Sequence, residues 1–517
     1  MKQNEINKLE LGIWLLAGFA LRIIEIGSRL LEHDEGFAAV RIFSYIEYPY
    51  TFLPPYYALM KIWSWIFGIT ITSLRFPSMV ASVLTILLGW ILFKDFLSKT
   101  GQRFYLLLSV ISPFSIYYAQ FFKPYAIISF LCLAALILAL EKRTYIRITL
   151  ALLIALFAFL CHFTAVLYIF GFIISVLMTS KFRIRIKIGM LLVIVFGIYT
   201  FFWLIHPLLW SDHYSASFVF FEAPFRFLKL LFNRYVGAWH LYTIMINHLW
   251  GHFPLPGSPR IWKSITGVLL LFVGYGIFIF RKTTNAELRN KLDIVILTIV
   301  TAHITALYIT NGLPLTPYIV PKYLLPSLIP LLGLIAIGLN KLYETMKIPA
   351  VLCGLSIVMI SAVGLNTTYN LKSPIDYPDF KGIEKTIVKH AEKNEAVISA
   401  AELWYPLKYY WILDNNDIPL LCYPAPGRIH FKATKVTDEE LEKFRKDILP
   451  FEGVWYLSNM MTIVDPDEKL LELLKEENVF LGETTVALPW PGVSARLFHF
   501  GLKKVKAEQG TDTLSSD

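Results

Sequence analysis

Apolar residues in this chain neither alternate nor recur at helical spacing; they run together. Eleven stretches are almost continuously apolar, near residues 9–27, 75–97, 103–120, 124–140, 146–161, 162–179, 188–206, 262–280, 291–310, 323–340 and 348–366. About 20 such residues suffice for a helix to cross a bilayer, where the backbone must satisfy its own hydrogen bonds. The pattern predicts a mainly α-helical, polytopic membrane protein with eleven transmembrane helices. Pro113 and Pro124 separate the third run from the fourth, and the Cys161-His162 step separates the fifth from the sixth. The first run carries Arg22 and Glu25 and no convincing cleavage site, so it reads as a retained span. Three residues apart, Arg22 and Glu25 predict an ion pair facing the bundle.

The apolar pattern stops near Asn366. Beyond it, Ala396–Ala400, Gly453–Leu457 and Val493–Phe500 read as strands, and helical patterns recur near 380–393, 437–447 and 467–477. The expected organisation is a membrane domain over 1–366, a soluble α/β domain over 367–507 and a disordered tail over 508–517.

Composition fits this division. Hydrophobic residues make up 56% and charged residues 17% of the 517, against about 25% charged in soluble proteins. That excludes an ordinary soluble enzyme. The net charge of +10 first suggests nucleic acid, but its distribution argues otherwise. With a cytosolic N-terminus, the short loops on that side (1–10, 94–103, 141–147, 181–187, 281–291 and 341–347) hold 18 Lys+Arg and 6 Asp+Glu. This is the positive-inside signature, so the basic charge sets topology and no nucleic-acid partner is expected. Two long loops, 28–74 and 207–260, then face outward, as does the C-terminal domain. Residues 367–517 are acidic, with 18 Lys+Arg and 24 Asp+Glu. Cys132, Cys161, Cys353 and Cys422 show no zinc or disulfide spacing.

Candidate chemistry collects on the outward side. Asp34-Glu35 directly follows the first span; such a pair can act as general base, ligate a divalent cation, or serve a helix N-terminus. The loop continues Leu53-Pro54-Pro55-Tyr56-Tyr57 into an aromatic segment, Ala58 to Phe67, with Lys61, Trp63 and Trp65, which reads as an interfacial helix. Gln120-Phe121-Phe122-Lys123-Pro124-Tyr125 and Lys322-Tyr323 each place a Lys against the positive-inside trend, to snorkel or to bind a lipid phosphate. His162 is a cation or hydrogen-bond candidate on the same face, or a capping residue. Nucleotide sugars are cytosolic, so an outward site that handled sugar would need a lipid-carried donor.

Together these segments resemble the GT-C superfamily of polyprenyl-phosphate-sugar-dependent glycosyltransferases, in the branch of protein O-mannosyltransferase, aminoarabinose transferase and Rgt-like enzymes. The resemblance rests on Asp34-Glu35, on Pro54-Pro55-Tyr56-Tyr57, on Leu74-Arg75-Phe76-Pro77-Ser78, on Gln120 to Tyr125 and on Lys322-Tyr323-Leu324-Leu325-Pro326. It implies an inverting transfer of sugar from a polyprenyl phosphate to a lipid, glycan or protein hydroxyl. By the same resemblance Asp34 is the base and Glu35 its support. Lys123, His162, Lys322 and Tyr323 hold the lipid phosphate, while Pro55, Tyr56, Gln120 and Tyr125 line the substrate groove. The sequence departs at Phe121, where the family carries Glu, at Leu53, where it carries a basic residue, and in having Lys for Arg at 123 and 322. No cofactor is required by these motifs, and a divalent cation stays open. The oligosaccharyltransferase branch, marked by Trp-Trp-Asp, is disfavoured because no Trp-Trp occurs.

Two non-enzymatic readings compete: a transporter of lipid-linked saccharide and an inactive GT-C-like scaffold. The first expects internal repeats and midplane charges; His303 is the main midplane polar residue, and Asp293 lies near a span end. Asp465-Pro466-Asp467 fits a short nucleotide-sugar pattern but equally a helix cap, and Asn366-Thr367-Thr368 is an N-glycosylation sequon.

Overall fold

The computed structural model describes residues 5–29, 31, 33–43, 55–141, 145–162, 164–179, 259–312, 321–370, 379–399, 401–423, 436–458, 468–487 and 494–502. The expected span at 188–206, the loop at 207–260 up to residue 258, Leu53-Pro54, Asp465-Pro466-Asp467 and the tail lie outside the described residues. By compactness the chain divides into two units, Met1–Ser28 with Arg41–Leu371, and Arg29–Val40 with Lys372–Asp517.

The first unit is helical: α1 Lys8–Ile23, α2 His33–Phe43 (its start belonging to the second unit), α3 Pro55–Phe67, α4 Ile71–Phe93, α5 Lys99–Ile111, α6 Pro113–Ala119, α7 Tyr125–Leu140, α8 Tyr145–Cys161, α9 Ala165–Thr179, α10 Pro259–Thr283, α11 Ala286–Gly312, α12 Leu328–Thr345 and α13 Lys347–Asn370. Four helical stretches among the described residues are long and apolar enough to cross a membrane: Ile71–Phe96, Ser264–Thr283, Lys322–Thr345 and Lys347–Tyr369. Among the described residues fewer helices meet that criterion than the runs expected, and part of the reason is visible in the chain. The run 103–120 is two helices, because Pro113 cannot continue α5 and Ser112 instead caps α6, its Oγ accepting from Ser115 N at 3.3 Å. The runs at α7 and α8 form helices of 16 and 17 residues.

Local chemistry sets the other ends. Asn7, Thr70 and Ser98 cap α1, α4 and α5 through their side-chain oxygens. Pro77 sits inside α4 and has no N–H for the carbonyl of Ser73, four residues back. The indole N–H of Trp63 takes that carbonyl at 2.9 Å. This anchors α3, which buries Tyr56, Tyr57, Met60 and Ser64 on one face and exposes Leu59, Ile62, Trp65 and Ile66 on the other, as an interfacial helix requires. Helices α10 and α12 touch backbone to backbone: a Cβ on Gly276 would lie 2.0 Å from Gly338 O.

Arg22 is a fully buried charge of this unit, with no exposed surface. It does not pair with Glu25, which lies exposed at φ 57° in the turn after α1. Its Nε donates to Ser82 Oγ (2.8 Å), Nη1 to the carbonyls of Gly18 and Val110 (3.0 and 3.3 Å), and Nη2 to Ser109 O and Ser115 Oγ (3.1 and 2.8 Å). All five N–H bonds of the guanidinium are therefore used. Two of the acceptors are last-turn carbonyls of α5, where a cation also meets the negative end of the helix dipole. Arg22 thus repairs the break that Pro113 creates. A cavity of about 10 Å³ beside it is lined by Ser82, Thr85, Ser115 and Ser129 and bounded by Leu325 and Ile329. Arg281 holds Asp293 through two nitrogens (2.8 and 3.1 Å), and His303 Nδ1 lies 2.7 Å from Ile299 O.

The second unit carries a five-stranded sheet. Its strands are β1 Glu395–Ser399, β2 Leu420–Cys422, β3 Gly453–Ser458, β4 Val479–Ala487 and β5 Ser494–Gly501, in the order β2-β1-β3-β5-β4. Strand β1 is parallel to β2 and β3, while β3–β5 and β4–β5 are antiparallel. Its helices are α14 Phe380–His390, α15 Ala401–Leu413, α16 Asp438–Ile448 and α17 Lys469–Glu477. Ala396, Ile398, Val454 and Phe500 of the sheet pack with Phe444 of α16 and Leu470 of α17. Glu395, at the start of β1, accepts from Trp455 Nε1 and bonds His499 Nε2, both at 2.7 Å, and the two rings stack 4.0 Å apart.

Candidate functional site

In the first unit, residues far apart in sequence converge where α7 begins, α8 ends and the 3-10 turn Pro321–Ser327 leads into α12. Lys322 Nζ lies 5.7 Å from the ring centre of Tyr125 and 5.8 Å from that of Tyr323. The ring of His162 meets Tyr125 edge-on at 5.4 Å and lies 6.5 Å from Tyr323, and the two tyrosines are 6.2 Å apart. Each position has a local cause. Pro124 starts α7 and puts Tyr125 in its first turn. His162 directly follows α8, where the chain turns toward Ala165. Pro321 opens the turn that carries Lys322 and Tyr323.

The rings shape the electrostatics. A lysine ammonium over two tyrosine faces is held by their quadrupoles. Thr164 N donates to His162 Nδ1 at 3.3 Å, and Thr164 Oγ1 lies 2.8 Å from the same nitrogen. A backbone N–H can only donate, so Nδ1 is the acceptor and the proton of the neutral ring sits on Nε2. The cluster thus offers an ammonium and an imidazole N–H, the donor types a phosphate dianion takes.

The other expected residues of this unit divide. Lys123 is buried; its carbonyl accepts from Ser78 Oγ at 3.3 Å and its N–H donates to Phe121 O at 2.8 Å. Phe121 is buried too and stacks with Tyr125 at 6.2 Å, so the position of the family's Glu is aromatic packing. Gln120, expected in the substrate groove, is buried and donates its amide N–H bonds to the carbonyls of Arg22 and Ile24 (3.0 and 2.6 Å). It ties the turn before α7 to the end of α1. Tyr56 is buried with its ring 6.2 Å from Phe122, and Pro55 begins α3. Arg75, which sequence reasoning used only as part of a motif, is fully buried and donates to Ile26 O at 3.0 Å.

Asp34 and Glu35 belong to the second unit. They occupy the first turn of α2, where carboxylates suit the helix dipole. Asp34 is half-buried and Glu35 is fully buried. Segment 29–40 packs on α15: Leu31 N donates to Tyr410 Oη at 3.3 Å, and Phe37 meets Tyr405 edge-on at 4.8 Å. Among the described residues no three His, Cys, Asp or Glu side chains gather to hold a metal ion.

No family model matches the chain, and no curated protein matches it in sequence. Solved structures match it in fold. ArnT from Cupriavidus metallidurans, crystallised with undecaprenyl phosphate, is 12% identical with a TM-score of 0.50, the match covering 96% of this chain and 98% of that one. The oligosaccharyltransferase of Archaeoglobus fulgidus, in complex with zinc and sulfate, is 14% identical with a TM-score of 0.53, over 95% of this chain and 73% of that one. This chain therefore shares the fold of the GT-C glycosyltransferases.

Proposed function

We propose that the chain is an inverting glycosyltransferase that moves a sugar from a polyprenyl phosphate to a hydroxyl of a lipid, glycan or protein on the outward membrane face. The observation that carries this reading is the convergence of Lys322, His162, Tyr125 and Tyr323 at one end of the helical unit. The fold it occurs in is one whose solved example from Cupriavidus metallidurans holds undecaprenyl phosphate.

In this mechanism Asp34 takes the proton of the acceptor hydroxyl as its oxygen attacks the anomeric carbon. The bond from that carbon to the phosphate oxygen breaks on the opposite side, and its electron pair leaves with the polyprenyl phosphate. Lys322, Lys123 and the Nε2–H of His162 meet the charge that develops there. Glu35 supports Asp34 from its buried place beside it. The resemblance supplies the roles of Asp34 and Lys123; the geometry supports those of Lys322 and His162.

The test is transfer from a panel of labelled polyprenyl-phosphate sugars by the membrane-reconstituted protein, comparing wild type with Asp34→Asn. Loss of a positioned general base lowers kcat about 100-fold or more. Equal transfer by both proteins would remove Asp34 as base. Absence of transfer by folded wild type from every donor would favour the inactive-scaffold reading, to which Phe121 lends its weight.

A further inference from the structure

We infer that Gly36 is a positioning residue: it seats the Asp34-bearing start of α2 on helix α15 of the C-terminal unit, so that unit carries the base. The inference rests on the functional reading above and adds what holds its base in place.

Four observations combine. Residues Arg29–Val40 group with the C-terminal residues, apart from the helices that flank them in sequence. A Cβ on Gly36 would lie 2.6 Å from Pro406 Cα and 2.7 Å from Pro406 N, both backbone atoms that cannot rotate aside. Leu31 N donates to Tyr410 Oη, and Phe37 packs on Tyr405, fixing the segment on either side of that contact. Ala39 and Val40, three and four residues on and so on the same helix face as Gly36, have no exposed surface.

Helix geometry turns this packing into positioning. Each residue advances about 100° around the axis, so Asp34, two residues before Gly36, points roughly away from α15. It is the half-buried residue of the pair, while Glu35 is enclosed. Because the Gly36 contact is backbone to backbone, any larger residue must lift the helix off α15 and take the Asp34 carboxylate with it. Displacing a reacting group by about 1 Å costs about 100-fold in rate. A sequence reading places Asp34 in a loop of the membrane domain; the structure assigns its support to residues some 370 positions later.

The test is a double-variant cycle in the full-length reconstituted protein, with hydrogen exchange as a second readout. Gly36→Ala should lower kcat at least tenfold while the donor KM stays within twofold. Added to Asp34→Asn, the same change should lower the remaining rate less than twofold, because the group it positions is already lost. Amides of 33–40 should exchange faster in Gly36→Ala, with β1 and β3 unchanged. Wild-type kcat, unchanged exchange at 33–40, or the same fold-loss in both backgrounds would overturn the inference. If Asp34→Asn leaves no measurable rate, kcat and exchange of the single variant decide. Equal transfer by wild type and Asp34→Asn, or no transfer by wild type, instead defeats the functional reading, and exchange still reports whether Gly36 seats the segment.

Discussion

Arg22 and Lys322 are both cations inside one helical unit, yet the chain spends them differently. Arg22 is fully enclosed, and its five N–H bonds end on oxygens of α1, α4, α5 and α6. Lys322 is half-buried and lies over two tyrosine faces, beside a histidine whose proton sits on Nε2. The two environments adjoin: Leu325, three residues after Lys322, bounds the cavity lined by Ser82 and Ser115, which bond Arg22. A buried charge is tolerated when each of its donors is satisfied, so Arg22 reads as a clamp on the α5–α6 break. A partly exposed ammonium held by rings keeps the means to meet a ligand anion. Positive charge near a membrane surface is therefore not one signal; burial and partner type separate its structural from its functional use.

The largest break of this comparison is Arg22→Met. It strands the last-turn carbonyls of Ser109 and Val110, and each buried polar group left alone costs about 1–3 kcal/mol. Thermal unfolding of the purified protein should show a loss of about 2 kcal/mol or more, with donor KM unchanged in what remains folded. Arg22→Lys should fall between, since three donors replace five. A donor KM that rises with Arg22→Met at unchanged stability would merge the two cations into one role.

A smaller effect is expected at His162. His162→Phe keeps a ring against Tyr125 and Tyr323 but removes a neutral donor worth about 0.5–1.5 kcal/mol, so donor affinity should fall about 2- to 10-fold with little change in stability. Thr164→Val loses the hydroxyl but keeps the N–H that fixes the tautomer, and should move affinity less. Steady-state KM and donor titration check both.

The smallest effect sharpens the comparison in the C-terminal unit. Glu384 is buried, one carboxylate oxygen bonds Asn416, and the other meets no partner among the described residues. Burial pushes its pKa up from the ordinary carboxylate range. A carboxylate raised in the folded state contributes stability below its unfolded pKa and loses it as pH rises through the folded value. Relative to wild type, Glu384→Gln should therefore gain stability as pH is raised from 4 to 8, a gap that chemical denaturation at several pH values can measure. A gap that narrows over that range would contradict the assignment.

Much of this was legible in sequence because it depends on local pattern. Apolar runs mark helices, and the strand-like and helical patterns after Asn366 mark β1, β3, β5, α14, α16 and α17 near their observed places. Tyr125, His162, Lys322 and Tyr323 were legible as aromatic and basic residues at ends of apolar runs. What was not legible depends on partners distant in the chain. The acceptors of Arg22 lie up to 93 residues away, and several are backbone carbonyls, which no composition marks. Gln120 looked like groove chemistry and serves as a tie to α1. Helix α15, with its many aromatic residues, and the strands β2 and β4 are not marked by the sequence pattern, nor is the support of segment 29–40.

The central claim is that the Lys322 cluster holds a lipid phosphate, and binding tests it without needing the acceptor. Polyprenyl phosphate should be titrated into the reconstituted wild type and Lys322→Ala. A charge-assisted phosphate contact is worth about 1.5–3 kcal/mol, roughly 10- to 150-fold in Kd. The account predicts a loss in that range with the unfolding temperature unchanged; equal affinity in the two proteins would contradict it.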